Sequence, residues 1–216
     1  MKKLLFLLPI LCFLTAAKSA RPGGGGGGTS PGWKIFTTNE RTWSPANAPT
    51  PSQGDVATCP ISSVNANYTA FLVTNLVGNI LGKTITATFT VSPTSGDPGY
   101  VWGVYQINGY GTVAAARLYF SSRTDYSNTR NVETYWFASN GVVVDDGTVT
   151  ISTVVQPMNW SHGNGCNGSD CLTEFMNSSQ GCVNVGVAFG SDHFYDLGIG
   201  TTNGTATIHL QSFTIQ

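Results

Sequence analysis

The chain has 216 residues, 41% of them hydrophobic, 11% aromatic and only 10% charged. That length builds one well-buried domain more readily than two. With ten basic and eleven acidic residues and no basic cluster, the chain is a poor match for nucleic acid or an anionic membrane surface.

Lys2 and Lys3 precede the apolar run "LLFLLPILCFLTA" (Leu4 to Ala16), and the small residues of "AKSA" follow it. This order reads as a secretory signal peptide over residues 1–20. The run is shorter than the roughly 20 residues that a membrane span requires, and no later stretch could span one. Cys12 reads as part of the apolar region, because "PILC" lacks the small residues expected before a lipidated cysteine. Cleavage near Ala20 removes Lys2, Lys3 and Lys18. Seven basic residues then face eleven acidic ones, a net charge of −4. "RPGGGGGGTSPG" (residues 21–32) reads as a flexible Gly/Pro tail, and one folded domain is expected over 33–216.

In "TITATFTVS" (Thr84 to Ser92) Ile85, Ala87, Phe89 and Val91 alternate with threonines, the pattern of a half-buried antiparallel strand. Further strands are read in "NYTAFLVTN", "YVWGVYQI", "GTVAAARLYFSS", "ETYWFAS", "GTVTISTVV", "VNVGVAFGS" and "TATIHLQSFTI". The segments "SGDPG", "NGYG", "SNG", "DDG" and "TNG" carry the residues of turns and are expected to separate them. One short helix is expected near 171–178, with Asp170 as N-cap and Leu172, Phe175 and Met176 on one face. In the last strand the apolar parity changes between Leu210 and Phe213, which predicts a bulge at Gln211–Ser212. The fold class is therefore all-β: a two-sheet antiparallel β-sandwich (jelly roll) with one short helix.

The domain holds Cys59, Cys166, Cys171 and Cys182. An even number in an exported chain favours two disulfides. Three pairings are open. The short loop "NGSD" favours Cys166–Cys171, leaving Cys59–Cys182. No CxxC pair or paired His points to zinc. Sequons stand at Asn67, Asn159, Asn167, Asn177 and Asn203.

The sharpest stretch is "ARLYFSS". Alternation sends Leu118 and Phe120 to the core, and Arg117 and Tyr119 to the second face of the sheet. A guanidinium beside a phenol makes either a ligand platform or a structural ion pair with Glu133 or Asp125. Trp136 is expected to share that face, with Trp102, Trp160 and His193 at its rim. Asp192 and Asp196, in "SDHFYDLG", are a weak calcium candidate. His162 and His209 have no partner that can be read from sequence. No G-x-S-x-G, HExxH or P-loop occurs, so no catalytic residue is assigned and no cofactor is expected.

"LGKTITATFTVS", "ARLYFSS", "TYWFAS", "GTVTISTVVQPMNWSHGNG" and the segment from Val183 to Ile215 together resemble a group of secreted bacterial jelly-roll proteins of unknown function, similar to carbohydrate-binding modules. The resemblance implies the fold, and a glycan as ligand. "YQIN" (Tyr105 to Asn108) resembles the Gln-Ile-His strand of jelly-roll alginate lyases, which use an arginine to neutralise uronate and a His and Tyr for proton transfer; here Asn108 stands in the His position. The expected function is an exported, non-catalytic module whose partner is extracellular polysaccharide or glycan. The alternatives are a structural or adhesive surface protein, and a polysaccharide lyase or hydrolase.

Overall fold

Ile85, Ala87, Phe89 and Val91 must leave water, whereas the threonines between them need not, so the strand that carries them has to lie flat on a core. The computed structural model shows how the chain meets this demand. It describes residues 32–39, 42–48, 55–63, 68–102, 113–123, 135–192 and 197–216.

The described elements are β1 (Lys34–Asn39), β2 (Thr42–Asn47), β3 (Ala57–Ile61), β4 (Tyr68–Gly78), β5 (Thr84–Trp102), β6 (Ala114–Ser121), β7 (Tyr135–Val143), β8 (Gly147–Val154), β9 (Trp160–His162), α1 (Leu172–Gln180), β10 (Cys182–Ser191) and β11 (Ile199–Ile215). All named strand pairs are antiparallel. Hydrogen bonds link them in the order β8-β5-β11-β4-β10-β6-β7-β9, with β3 on β11 and β1 on β4. This continuous sheet curls on itself. One layer holds β3, β8 and the facing halves of β5 and β11. The other holds β1, β2, β4, β10, β6, β7 and β9. The result is the all-β sandwich that the alternating pattern predicts.

Between the layers lies the main core. Phe89 of β5 meets Phe189 of β10 edge-on across it, with ring centroids 6.4 Å apart. Leu118, Phe120, Val187, Ile208 and Leu210 fill the same space. Burying each such side chain stabilises the fold by about 1.5–3 kcal/mol.

β5 and β11 pair from Ile85↔Ile215 to Trp102↔Ile199, so they must bend together from one layer into the other. The expected turns "SGDPG" and "TNG" are absorbed in this bend, and neither separates strands. Gly96 (φ 66°) pairs with Gly204, next to Asn203 (φ 57°), and the register shifts on both sides of this point. A Cβ on Gly96 would come 2.2 Å from the Asn203 carbonyl oxygen, so only glycine fits there. The third shift lies between Leu210 and Ser212, the bulge that the parity change predicts. "SNG" is likewise no separator. It lies within β7, where the register with β6 shifts between Arg117 and Tyr119. "DDG" does separate two strands, but as the connection from β7 in one layer to β8 in the other, which do not pair with each other; Gly147 stands at φ 116°. Of "YVWGVYQI" only Tyr100–Trp102 is described, as the end of β5.

Helix α1 sits against the main core through Phe175, whose ring meets Phe120 at 5.9 Å and Trp136 at 5.1 Å. Its N-cap is Cys171, one residue beyond the expected Asp170, and no side chain caps it. Leu172 is exposed, whereas Phe175 is buried and Met176 packs partly buried against the core, with Ser178 and Ser179 completing the buried face. Ser179 returns its hydroxyl to the Met176 carbonyl, which lets a polar side chain be buried there.

Cys166 and Cys171 are disulfide-bonded, as the loop length suggests. The expected Cys59–Cys182 bond is absent. Both are buried free thiols, Cys59 opposite Ile208 and Cys182 opposite Gly78 in a different strand pair. Cys182 Sγ has the Asn184 carbonyl at 3.3 Å. Burial pushes each thiol up to about 12, against which Thr69 acts on Cys59 and the Asn184 and Ser121 backbone on Cys182. Among the described residues no helix is long and apolar enough to cross a membrane.

Candidate functional site

The inner strand β6 sends alternate side chains to two faces, and both are buried. Leu118 and Phe120 enter the main core, as expected. On the other face, registry across the layer sets Phe36 beside Phe71, Phe71 beside Ala188 and Ala188 beside Arg117. The next row sets Gly186 beside Tyr119, and Tyr119 beside Phe137. The Tyr119 ring lies 4.9 Å from Phe71, 5.5 Å from Phe137 and 6.1 Å from Tyr135. These residues form a second hydrophobic cluster.

Arg117 closes one end of that cluster. The β7 irregularity places more residues between Gly141 and Phe137 than β6 has between their partners Arg117 and Tyr119. The Ala138 and Ser139 carbonyls meet the guanidinium, and Arg117 Nη1 donates to both at 3.1 Å. Nη2 donates to the Asp192 carbonyl. A planar fork of donors suits this task in a way an ammonium does not. Gly141 leaves the room, since a Cβ there would lie 3.2 Å from the Arg117 side chain. Burial lowers the pKa of Arg117, and the nearby Asp192 carboxylate opposes that shift.

The expected open platform is therefore not what this face offers. Arg117 is 9% exposed and Tyr119 0%. Trp136, also 0% exposed, is not on the Tyr119 face at all: it enters the main core, stacked on Phe120 at 6.3 Å. Trp160 is buried beside it, and its indole donates to the Val154 carbonyl at 2.9 Å. Trp102 is half-buried at the end of β5. For Trp136 and Trp160 the reason is that an aromatic ring flanked by polar neighbours along a strand still buries its own face when a layer lies over it; Tyr119 is instead buried among Phe71, Tyr135 and Phe137. Asp192 touches Arg117 through its backbone, whereas His193 and Asp196 lie outside the described residues, as do Tyr105, Asn108, Tyr110, Asp125, Glu133 and Tyr195. Among the described residues no three His, Cys, Asp or Glu side chains are grouped to hold a metal.

Two polar contacts link parts of the chain that sequence does not connect. His209 Nδ1 lies 2.9 Å from Asp55 Oδ2. The Tyr100 hydroxyl donates to Asp146 at 2.5 Å, and partial burial, helped by that carboxylate, raises its pKa.

The open polar surface is the outer face of β8, β5 and β11. Thr86 bonds Ser152 at 2.8 Å, Thr88 bonds Thr150 at 2.9 Å and Thr90 bonds Thr148 at 2.7 Å. Ser212 and Thr214 extend two of these rows onto β11, opposite Thr88 and Thr86. No Asp, Glu, Lys or Arg occurs in Thr84–Ser92, Gly147–Val154 or Thr205–Ile215. Strand geometry sets successive rows of hydroxyls about 6.7 Å apart along the strands, on backbones about 4.8 Å apart. Each cross-strand pair uses one hydroxyl proton and leaves another donor and several lone pairs facing out.

No family model matches the chain, and no curated protein matches it. Solved structures similar to it include a mutant of Xylanase10C from Cellvibrio japonicus in complex with xylopentaose, at 12% identity and a TM-score of 0.37 over 86% of this chain. The chain spans 27% of the length of that xylanase chain. The xylan-binding module CBM15 is similar at 14% identity and a TM-score of 0.35, over 83% of this chain and 90% of that one. Likeness this distant speaks to neither ligand nor activity.

The hydroxyl face has a sequence signal, the unbroken Thr-x-Thr alternation of β5. That signal reads first as ordinary strand propensity, because pairing with β8 is needed before the threonines become a surface.

Proposed function

We propose that this chain is an exported, non-catalytic β-sandwich that binds neutral extracellular polysaccharide on the outer face of β8, β5 and β11. The observation that supports the reading is the hydroxyl grid on three paired strands whose own sequences carry no Asp, Glu, Lys or Arg, with the Asp55–His209 pair at its β11 edge. A neutral polymer with many hydroxyls finds donors and acceptors there without desolvating a charge. The rigid ladder holds these groups in place, so little side-chain entropy is lost on binding. The apolar leader with its small-residue end supports export.

A lyase would need an arginine free to neutralise a uronate, and Arg117 instead donates to backbone carbonyls. The second reading is a structural or adhesive surface protein, favoured by the burial of Tyr119, Trp136 and Trp160.

The test is sedimentation with insoluble neutral polysaccharides, together with affinity electrophoresis in soluble ones. The expected result is binding by the wild-type chain, lost in the Thr88→Lys/Thr150→Lys variant while its thermal unfolding stays near that of wild type. Binding that survives the double substitution rules out the face. A wild-type chain that binds none of the polymers rules out the ligand class and leaves the adhesive reading.

A further inference from the structure

Trp136 of β7 and His162 of β9 stand opposite each other in register, with ring centroids 4.9 Å apart and planes inclined by 58°. Both side chains are buried. Trp136 Nε1 and His162 Nε2 have no hydrogen-bond partner among the described residues. Groups buried in this way are nearly always satisfied, by protein or by ordered water.

Their chemistry is complementary. The backbone N–H of Cys166 donates to Asn164 Oδ1 at 3.1 Å, which fixes that atom as the amide oxygen. His162 Nδ1 meets the same oxygen, so Nδ1 carries a proton and donates. In the neutral ring Nε2 is then left with its lone pair as an acceptor. The Trp136 indole is a donor only. Neighbouring buried rings thus carry a donor and an acceptor, each unmet. The other indole of this region, Trp160, is already bonded to Val154.

We propose that one internal water molecule bridges them, accepting from Trp136 Nε1–H and donating to His162 Nε2. Internal waters sit where about two to four polar partners converge, and this pair supplies both kinds. The bridge ties β9 to β7 side chain to side chain, beside the backbone bond from Gly163 N–H to the Tyr135 carbonyl at 2.9 Å.

Solution NMR of the full chain at neutral pH tests this. The expected result is a cross-peak from the Trp136 indole proton to a long-lived water, absent at the Trp160 indole proton, with the nitrogen shift of His162 Nε2 that of an unprotonated acceptor. His162→Gln, which keeps an acceptor oxygen, is expected to retain the cross-peak; His162→Phe is expected to lose it. A proton found on Nε2 overturns the proposal. So does a wild-type Trp136 indole without the water contact, or a direct Trp136–His162 hydrogen bond seen as a scalar coupling.

Discussion

At Arg117 a single cation answers three backbone carbonyls. The Ala138 and Ser139 oxygens lie at the β7 irregularity, and the Asp192 oxygen comes from the end of β10. Removing the guanidinium orphans these acceptors in a site with little room for water, at about 1–3 kcal/mol for each group left unsatisfied. Arg117→Ala is therefore expected to lower unfolding stability by about 3 kcal/mol or more. Arg117→Lys, which keeps the charge but not the fork, should recover less than half of that. Urea denaturation of both variants measures it. A lysine variant as stable as wild type would mean that charge alone is needed. Sequence shows that Arg117 turns away from Leu118 and Phe120, and this much of its role is legible. Its partners are not, because they are carbonyls exposed by an irregular register, and no side-chain pattern reports a carbonyl. His209 is a parallel case: its partner Asp55 lies 154 residues away.

At the scale of strands, close backbone approach governs β4 and β10. Gly186 faces Val73 on one side and Tyr119 on the other. A Cβ there would come 2.1 Å from the Leu72 carbonyl oxygen and 2.8 Å from Val73 Cα. Backbone cannot move aside as a side chain can, so Gly186→Ala must separate two central strands. The expected loss is about 3 kcal/mol, the upper end for overpacking, read as a drop in the thermal midpoint. Gly82→Ala is the matched control. Its Cβ would meet nothing within 4 Å, so only the cost of a positive φ (77°) remains. Gly186 has no positive φ, so a Gly186→Ala cost no greater than that of Gly82→Ala would mean that strand spacing does not govern the position. The strands themselves are legible wherever alternation is clean, as in β5, and so is the bulge after Leu210. The bend shared by β5 and β11 is not. Two turn-like segments each read as a chain reversal, and only their mutual pairing, with Gly96 opposite Gly204 next to the register shift at Asn203, turns them into a continuous bent ribbon. The open polar face is hidden for a related reason: threonines on one strand make a hydroxyl grid only once β8 and β11 lie beside it.

For the molecule as a whole, the main core shelters two thiols, and pH should report on it. Cys59 and Cys182 are held near 12 by burial, against an ordinary value of 9.0. In each case the neutral thiol is the form the fold favours. A raised folded-state pKa leaves its contribution intact below pH 9.0 and removes it as the pH climbs toward 12, because only the unfolded chain can ionise in that window. Each tenfold change in an ionisation equilibrium corresponds to about 1.4 kcal/mol, so the two thiols together are expected to cost several kcal/mol across the window. Stability from urea unfolding should therefore stay level near neutral pH and fall between pH 9 and 12. Replacing both residues by alanine leaves cavities, which lower the whole curve, and it should also flatten the alkaline slope. That slope, not the absolute stability, is the diagnostic quantity. A thiol reagent gives the companion measurement without reductant: the folded domain should react slowly at about pH 8, below the range in which even an unfolded thiol fully ionises. Once unfolded it should show two reactive cysteines, Cys166 and Cys171 being held in their disulfide. An unfolded domain with no reactive thiol would instead mean that Cys59 and Cys182 are bonded to each other, and the alkaline slope would then be absent as well.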